Sequence, residues 1–198
     1  MRVLSHPRAV PPAGTSCRAA GFTLVELMIT IAVAAILLMI AVPSFNNIIN
    51  SNRLTTAANT MVNALNTARM EAIKRNGSVQ FCSNSASTNT SGSGDTLGSN
   101  CGTSAGAVYA GTSTTPVLAA PPGLGTTSVQ IHGTVAAIRF NGEGLGYAPG
   151  STTPFDSGTL GAVVDLCSKA LSSNNHIQVS MATGTIITSG TPFTGTCP

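Results

Sequence analysis

An acidic residue, Glu26, lies near the start of an apolar run that extends from Phe22 to Val42. A carboxylate in hydrocarbon is costly unless it is paired, so its presence here needs a physical reason. Part of the reason is local, because Thr23-Leu-Val-Glu26 has the spacing of a capping box. A cap of this kind, or a lean of the side chain toward the membrane interface, would explain Glu26 without any further function.

The segment before the apolar run is basic and contains no acidic residue. Its three arginines are Arg2, Arg8 and Arg18. An ordinary secretory signal loses its apolar stretch on cleavage, whereas cleavage after the small residue Gly21 would retain the stretch and create an α-amine on Phe22. An ammonium and a carboxylate offset one another's desolvation when they meet. A neighbouring helix, staggered by about one turn, could bring such an amine to Glu26.

The sequence Gly21-Phe22-Thr23-Leu24-Val25-Glu26 resembles the prepilin processing motif of type IV pilins and type II secretion pseudopilins. The resemblance implies that a prepilin peptidase cleaves after Gly21, that Phe22 becomes N-methylated and that Glu26 acts in assembly. Pro43 falls where many of these proteins have a helix-bending proline, and a proline lacks the N–H that a straight helix needs. The implied partners are other pilins, minor pilins or pseudopilins, contacted through the N-terminal helix, and the inner-membrane assembly platform.

Three later segments resemble the GspH/FimT branch of this superfamily. They are Arg69-Met-Glu-Ala-Ile-Lys-Arg75, Val79-Gln-Phe-Cys82 and Ile138-Arg-Phe-Asn-Gly-Glu-Gly144. The resemblance implies a minor pilin or pseudopilin of a Gram-negative bacterium. Such a subunit would belong to the priming complex or the tip of a type IV pilus or a type II secretion pseudopilus. The paired cysteines favour a FimT/FimU-like minor pilin over the secretion-system pseudopilin H.

The net positive charge of the sequence comes from its amino-terminal segment. Three of the nine basic residues lie before the apolar run, and the other six balance the six acidic residues. This asymmetry predicts a leader in the cytoplasm and an exported C-terminal domain, since basic segments stay on the cytoplasmic side. The resemblance implies that the protein is a single-pass inner-membrane protein and that its C-terminal domain lies in the periplasm. We expect a cleaved leader over 1–21, a transmembrane and filament-core helix over 22–42, an amphipathic helix over 43–76 and a disulfide-linked β domain over 77–198.

Four cysteines follow the apolar run, and Cys17 lies in the leader. The four are Cys82, Cys101, Cys167 and Cys197. Four cysteines allow three pairings, of which we favour Cys82–Cys101 and Cys167–Cys197, the nearest neighbours in sequence. Each bond would close a loop and contribute about 3–4 kcal/mol in the loop-entropy model. Disulfides form in oxidising compartments, which agrees with export.

The helix is predicted to continue beyond the apolar run. One apolar stripe recurs at steps of three and four: Leu54, Ala58, Met61, Leu65, Ala68 and Ala72. Cations favour the last turn of a helix, and Lys74 and Arg75 stand just before Asn76-Gly77, a typical helix stop.

Beyond Gly77 the sequence changes to short strands separated by polar tracts. The strand candidates are Ser78–Ser83, Ala107–Ala110, Ser128–His132, Ala136–Asn141, Ala162–Cys167, His176–Met181 and Thr185–Thr188. The tract Asn84–Asn100 is expected to be a loop. We therefore expect an α+β, pilin-like fold in which a long N-terminal helix packs on an antiparallel β domain.

No catalytic, cofactor or metal site is expected. The chain lacks a Gly-x-Ser-x-Gly elbow, and Asn141-Gly142 predicts a hairpin turn rather than a nucleotide-binding loop. His132 is expected to be an ordinary strand residue and His176 a solvated turn residue, neither with an obvious carboxylate partner. No Cys-x-x-Cys spacing occurs and the histidines are scattered in sequence, which disfavours zinc.

Two alternative functions are kept open. Some FimT-type minor pilins take up DNA through a Gly-Arg-x-Arg-like element, but the corresponding segment here, Gly184-Thr185-Ile186-Ile187, has no arginine. Phosphate binding needs clustered cations, and beyond Gly77 the chain has only Arg139 and Lys169, so the sequence disfavours nucleic acid as a partner. The other alternative is a membrane-anchored ligand-binding module that never polymerises.

Overall fold

The computed structural model describes residues 21–125 and 128–198. The chain divides into two compact units, one ending at Val42 and the other comprising Pro43–Pro198. The predicted α+β class is confirmed, because one long helix is followed by antiparallel strands.

The long helix, α1, extends from Leu24 to Arg75. Thr23 caps its start, since the threonine Oγ1 accepts a hydrogen bond of 3.2 Å from the backbone N–H of Glu26. The bond satisfies one of the amide groups that have no partner in the first turn of a helix. The predicted N-cap is therefore observed.

The other end of α1 stops where the sequence predicts. Asn76 adopts a left-handed conformation with a φ of 47°. The following residue, Gly77, donates its backbone N–H to the Ala72 carbonyl at 3.1 Å. This contact satisfies a terminal carbonyl and ends the helix.

Within the second unit, α1 buries one face. All six residues of the predicted stripe are buried: Leu54, Ala58, Met61, Leu65, Ala68 and Ala72. Residues three and four apart lie on the same face of a helix, so the sequence period selects this face. The asparagines at positions 59, 63 and 66 lie off it and are exposed.

Eight strands follow α1 in the described residues. They are β1 Val79–Phe81, β2 Val108–Ala110, β3 Gln130–Ile131, β4 Ile138–Phe140, β5 Gly146–Tyr147, β6 Val164–Cys167, β7 His176–Ala182 and β8 Ile186–Ser189. All seven predicted strand segments contain an observed strand. The additional strand, β5, has only two residues and includes a glycine, so its sequence does not have a strand pattern.

The strands form two antiparallel sheets of four. Their orders are β2-β1-β4-β5 and β3-β6-β7-β8. One hydrophobic cluster contains buried residues from α1 and from both sheets: Leu65, Phe81, Phe140, Leu166 and Val179 are among its members. Because residues of both sheets belong to this one core, the core holds the sheets together. Burial of each large side chain in it contributes about 2 kcal/mol.

Three short helices occupy polar tracts: α2 Ala86–Asn89, α3 Thr96–Cys101 and α4 Ser157–Leu160. The expectation of a loop throughout Asn84–Asn100 is wrong, since α2 and α3 lie within or overlap this tract. Aspartate caps explain two of the helices, because Asp95 accepts a hydrogen bond from the Gly98 amide and Asp156 accepts one from the Gly158 amide.

We expect Gly98→Ala to lower the free energy of unfolding by about 1–3 kcal/mol, the usual cost of overpacking. Gly98 is buried on α3, and an added Cβ would collide with the Asn89 carbonyl oxygen and lie 2.8 Å from its carbonyl carbon. Denaturant unfolding of the detergent-solubilised chain measures the change. Thr96→Ala, at an exposed position of the same helix, is the control, and equal stability of the two variants would contradict the expectation.

Candidate assembly site

The residues predicted to be processed lie at the exposed start of α1. Gly21, Phe22 and Thr23 precede the helix, and Phe22 is 77% exposed. Glu26 lies in the first turn and is exposed as well. An acid in the first turn interacts favourably with the helix dipole, so the local backbone accommodates the carboxylate.

Apolar side chains cover α1 on all sides as far as Val42. The most apolar 18-residue window has a mean hydropathy of 2.7, and none of it is buried within the described residues. A helix that is apolar all round is stable in a membrane or among other apolar helices. By length and composition, this helix can cross a membrane.

Pro43 lies within α1 by backbone assignment, but its side chain is outside the described part of the structure. A proline inside a helix removes one backbone hydrogen bond and crowds the preceding turn. The helix bend at Pro43 therefore stays a prediction.

Two disulfides join the four cysteines of the second unit. Cys82 is bonded to Cys101, with 5.4 Å between their Cα atoms, and Cys167 is bonded to Cys197, with 5.8 Å between theirs. These are the pairs that the sequence analysis favours. The first bond holds α3 beside the end of β1, and the second holds the C-terminal segment against β6.

A polar network connects β1 and β4 to the tract between β1 and β2. Arg139 donates to Gln80 Oε1 at 3.0 Å and to Asp95 Oδ2 at 2.7 Å. The Gln80 amide donates to the Asn89 carbonyl at 2.7 Å, and Asn89 Oδ1 accepts from the Ser83 amide at 2.8 Å. These bonds satisfy buried polar groups that would each be costly if they had no partner.

The network strongly favours an ionised Asp95. Burial alone would raise the pKa of this carboxyl. Hydrogen bonds from the Ser91 amide, the Arg139 guanidinium and the Gly98 amide oppose burial and hold the pKa of Asp95 well below its ordinary value. The sequence gives no sign of this ion pair, because its members are far apart along the chain.

The same contacts bear on the DNA-uptake alternative. Arg139, one of the two cations beyond Gly77, is paired with Asp95. Thr185 lies in the connection between β7 and β8, and its carbonyl accepts a hydrogen bond of 3.1 Å from Arg69. These arginines are engaged in intramolecular contacts, whereas phosphate binding needs clustered, available cations.

The expectation that His176 is a solvated turn residue is wrong, whereas His132 continues the pairing of β3 with β6, as expected of a sheet residue. His176 is buried, with 1% of its surface exposed, rather than solvated in a turn. Its Nδ1 lies 3.0 Å from Asp165 Oδ1, and His132 Nδ1 lies 3.3 Å from Asp165 Oδ2. Both histidines therefore have a carboxylate neighbour. The alternation of residues along β6 and β7 predicts which side chains share a face, but only the pairing of the strands brings these three together.

Comparison with known families matches two parts of the chain. A family model described as "Type II transport protein GspH" matches residues 57–185, which is more than half of the chain. A second model, described as "Prokaryotic N-terminal methylation motif", matches residues 16–42, the segment that contains Gly21, Phe22 and Glu26. No curated protein and no solved structure gives a significant match.

We expect Asp95→Asn to lower the free energy of unfolding by about 1–3 kcal/mol at neutral pH, because it leaves the partly buried Arg139 charge without its counter-ion. Since folding lowers the pKa of Asp95, its contribution is complete above the unfolded pKa, near 4, and is lost as the pH falls toward the folded value. The stability difference between parent and variant should thus be constant from about pH 7 to 5 and shrink below about pH 4.

Unfolding curves of parent and variant at a series of pH values measure this difference. Glu143→Gln removes a charge from an exposed side chain and is the matched control, for which we expect little change at neutral pH. A difference for Asp95→Asn that grows on acidification would contradict the assignment.

Proposed function

The chain belongs to the GspH family of type II transport proteins, and we propose that it is a minor pilin or pseudopilin that acts by assembly into a filament rather than by catalysis. A prepilin peptidase removes residues 1–21, Phe22 becomes the N-methylated first residue and the apolar part of α1 packs among the helices of other subunits. The observation that carries the proposal is an exposed acid, Glu26, in the first turn of an unburied apolar helix that matches the methylation motif.

The role of Glu26 follows from the cost of its charge. In a membrane or in a filament core, an unpaired carboxylate is expensive, by about 3 kcal/mol at the centre of a spanning helix on insertion scales. Cleavage at Gly21 creates the nearest new cation, the α-amine of Phe22. This amine precedes Glu26 in its own chain by about one helical turn, so an incoming helix displaced by about one turn can present its own amine to the Glu26 of its neighbour. Pairing then sets the axial register between subunits.

The apolar surface from Leu24 to Val42 is compatible with both lipid and the helices of a filament. Its large side chains are half or more exposed in the isolated chain, and Leu24, Ile36, Leu37 and Met39 are examples. Lipid covers this surface before assembly and neighbouring helices cover it afterwards. The exchange costs little because both environments are apolar.

The second unit fits the role of a head domain that contacts partner subunits. Two disulfides cross-link it, which supports a periplasmic location after export. Its residues beyond Gly77 include only six charged side chains, so its contacts with partners depend on shape, hydroxyl groups and amides. We place this head at the priming complex or tip of the filament, in contact with other minor subunits and the inner-membrane assembly platform.

We expect the native protein to begin at Phe22 and to carry one methyl group on its α-amine. Mass spectrometry of the N-terminal peptide from membranes of the source cell measures both features. A protein that keeps residues 1–21 would support the anchored, non-polymerising module instead. As a control, we expect Gly21→Ala to block cleavage.

We expect Glu26→Ala to leave membrane insertion and cleavage intact but to abolish or strongly reduce incorporation into the filament, because the amine of the adjoining subunit loses its counter-charge. Cell fractionation, N-terminal mass spectrometry and the amount of the protein in sheared filaments measure these steps separately. Twitching motility and exoprotein release then show which kind of filament is affected.

Two further variants sharpen this test. Glu26→Gln keeps the size and removes the charge, so it should behave like Glu26→Ala if charge is the cause. Glu143→Ala removes an exposed carboxylate of the head domain and should assemble normally. Normal filament incorporation of both Glu26 variants would refute the proposed role of the carboxylate.

A further inference from the structure

Three side chains with metal-binding atoms converge on one face of the second sheet. His132, Asp165 and His176 each place one ligand atom so that all three atoms lie within 4.8 Å of one another. His132 directly follows β3, Asp165 lies on β6 and His176 begins β7. The order of the sheet, β3-β6-β7-β8, puts these strands side by side.

The backbone register fixes this convergence. The His132 amide donates to the Asp165 carbonyl at 2.8 Å, which continues the pairing of β3 with β6. On the other side of β6, Cys167 pairs with His176 and Asp165 pairs with Gln178. Alternate residues of a strand point to the same face, so His176 and Gln178 lie on the side of the sheet that carries Asp165 and Cys167.

His176 is held rigidly by the C-terminal segment. Its backbone N–H and carbonyl both pair with Phe193 at 3.0 Å, and the two rings lie 5.1 Å apart. Gly195 packs against the imidazole so closely that an added Cβ would lie 3.0 Å from Nε2. The Cys167–Cys197 disulfide anchors this segment to β6. Packing therefore seals Nε2 and leaves Nδ1 aimed at Asp165.

The buried imidazole has one polar atom with no protein partner. Among the described residues, His176 Nε2 is buried and makes no hydrogen bond, and because Gly195 closes that side of the ring, Nδ1 is the imidazole atom that faces the cluster. Asp165 has no arginine or lysine within ion-pair distance in the described part of the chain, and its ionisable neighbours there are the two histidines. Its other side-chain contact is the neutral Gln178 amide, at 3.3 Å.

We propose that His132, Asp165 and His176 bind a divalent transition-metal ion of the zinc type. Two imidazoles and one carboxylate suit such an ion, whereas Ca²⁺ and Mg²⁺ prefer all-oxygen sites. In a tetrahedral site with bonds of about 2.0–2.2 Å, ligand atoms lie roughly 3.4 Å apart. The distances from His176 Nδ1 to Asp165 Oδ1 and from His132 Nδ1 to Asp165 Oδ2 are 3.0 and 3.3 Å, so each carboxylate oxygen faces one imidazole nitrogen. With one ligand atom taken from each residue, all three atoms lie within 4.8 Å of one another.

The three ligands have distinct roles. His176 and Asp165 are the fixed pair, since their side chains are only 2% and 13% exposed, whereas the His132 side chain is 46% exposed and can adjust to the ion. The Gln178 amide donates to Asp165 Oδ2 at 3.3 Å and so helps to orient the carboxylate, as residues next to metal ligands commonly do. The exposed side of the site leaves a fourth position for water or for a ligand from a partner subunit.

A metal ion at this position would stabilise the edge of the second sheet. β3 has only two residues, and its pairing with β6 is correspondingly short. A bond from His132 through the ion to β6 and β7 would hold this edge strand in register. The proposal does not depend on filament assembly, because it concerns the isolated chain.

The test is metal binding by the full chain, purified in detergent and stripped with a chelator. His6→Ala and Cys17→Ser are included in every sample, so that His132 and His176 are the only histidines left and no free thiol remains. We expect equilibrium dialysis against Zn²⁺ to give one ion per chain, a higher melting temperature with Zn²⁺ and no comparable binding of Ca²⁺. Co²⁺ should give the visible absorption of a four- or five-coordinate nitrogen–oxygen site.

His132→Ala is the decisive variant, because its exposed side chain can be removed without opening the core. It should fold like the parent in the absence of metal and bind Zn²⁺ at least about 100-fold more weakly, since even changes behind a ligand cost 10- to 100-fold. Asp165→Asn, which keeps the shape of the side chain, should behave in the same way. Glu143→Gln, a matched carboxylate-to-amide change outside the site, should bind like the parent.

Three results would overturn the proposal. They are the absence of stoichiometric Zn²⁺ binding by the parent, undiminished binding by His132→Ala or Asp165→Asn, and an equal loss of binding by Glu143→Gln. The filament assay of Glu26 variants is independent of all three, so failure of one proposal does not imply failure of the other.

Discussion

The buried stripe of α1 between Leu54 and Ala72 is the contact on which the C-terminal domain depends. The two sheets that share this core are built from strands of two to seven residues, and small sheets of such short strands are not stable without a hydrophobic partner. The helix supplies this partner, because its stripe belongs to the same cluster as residues from both sheets. Alanines at positions 58, 64, 68 and 72 are fully buried, so much of this face contributes small side chains to the core.

The same helix satisfies two different sets of physical demands along its length. From Leu54 to Ala72, one apolar face is buried, and the asparagines at positions 59, 63 and 66 are exposed. Before Pro43, apolar residues cover the whole circumference and find no cover within the described chain. A helix of that kind is unfavourable in water, so it needs a membrane or a bundle of neighbouring helices as its surroundings. The family assignment agrees with this requirement.

Local signals in the sequence predict the parts of the structure that depend on nearby residues. Thr23 predicts the start of α1, Asn76-Gly77 predicts its end, and the period of the stripe predicts the buried face. Each of these features is decided within one or two turns of chain. Strand positions are predicted nearly as well, because the β segments are separated by clear polar tracts.

The parts that could not be predicted depend on which strands become neighbours. Asp95 and Arg139 meet because β1 pairs with β4 and α3 lies beside them, and neither residue shows this in its own surroundings. His132, Asp165 and His176 converge for a similar reason, through the order β3-β6-β7. The packing of the whole domain decides which strands pair. The apolar pattern of a strand specifies its buried face but not its neighbouring strand. The sequence alone therefore gives no reason to relate the two histidines to each other.

The pairing of charged side chains within the domain also determines how the domain responds to ionic strength. Of the few charges beyond Gly77, Arg139 is neutralised by Asp95, Asp165 lies between two histidines and Asp156 caps α4. Dissolved salt screens exposed charges and leaves short, partly buried pairs largely intact. The fold of a domain with this composition should therefore depend little on the salt concentration around it.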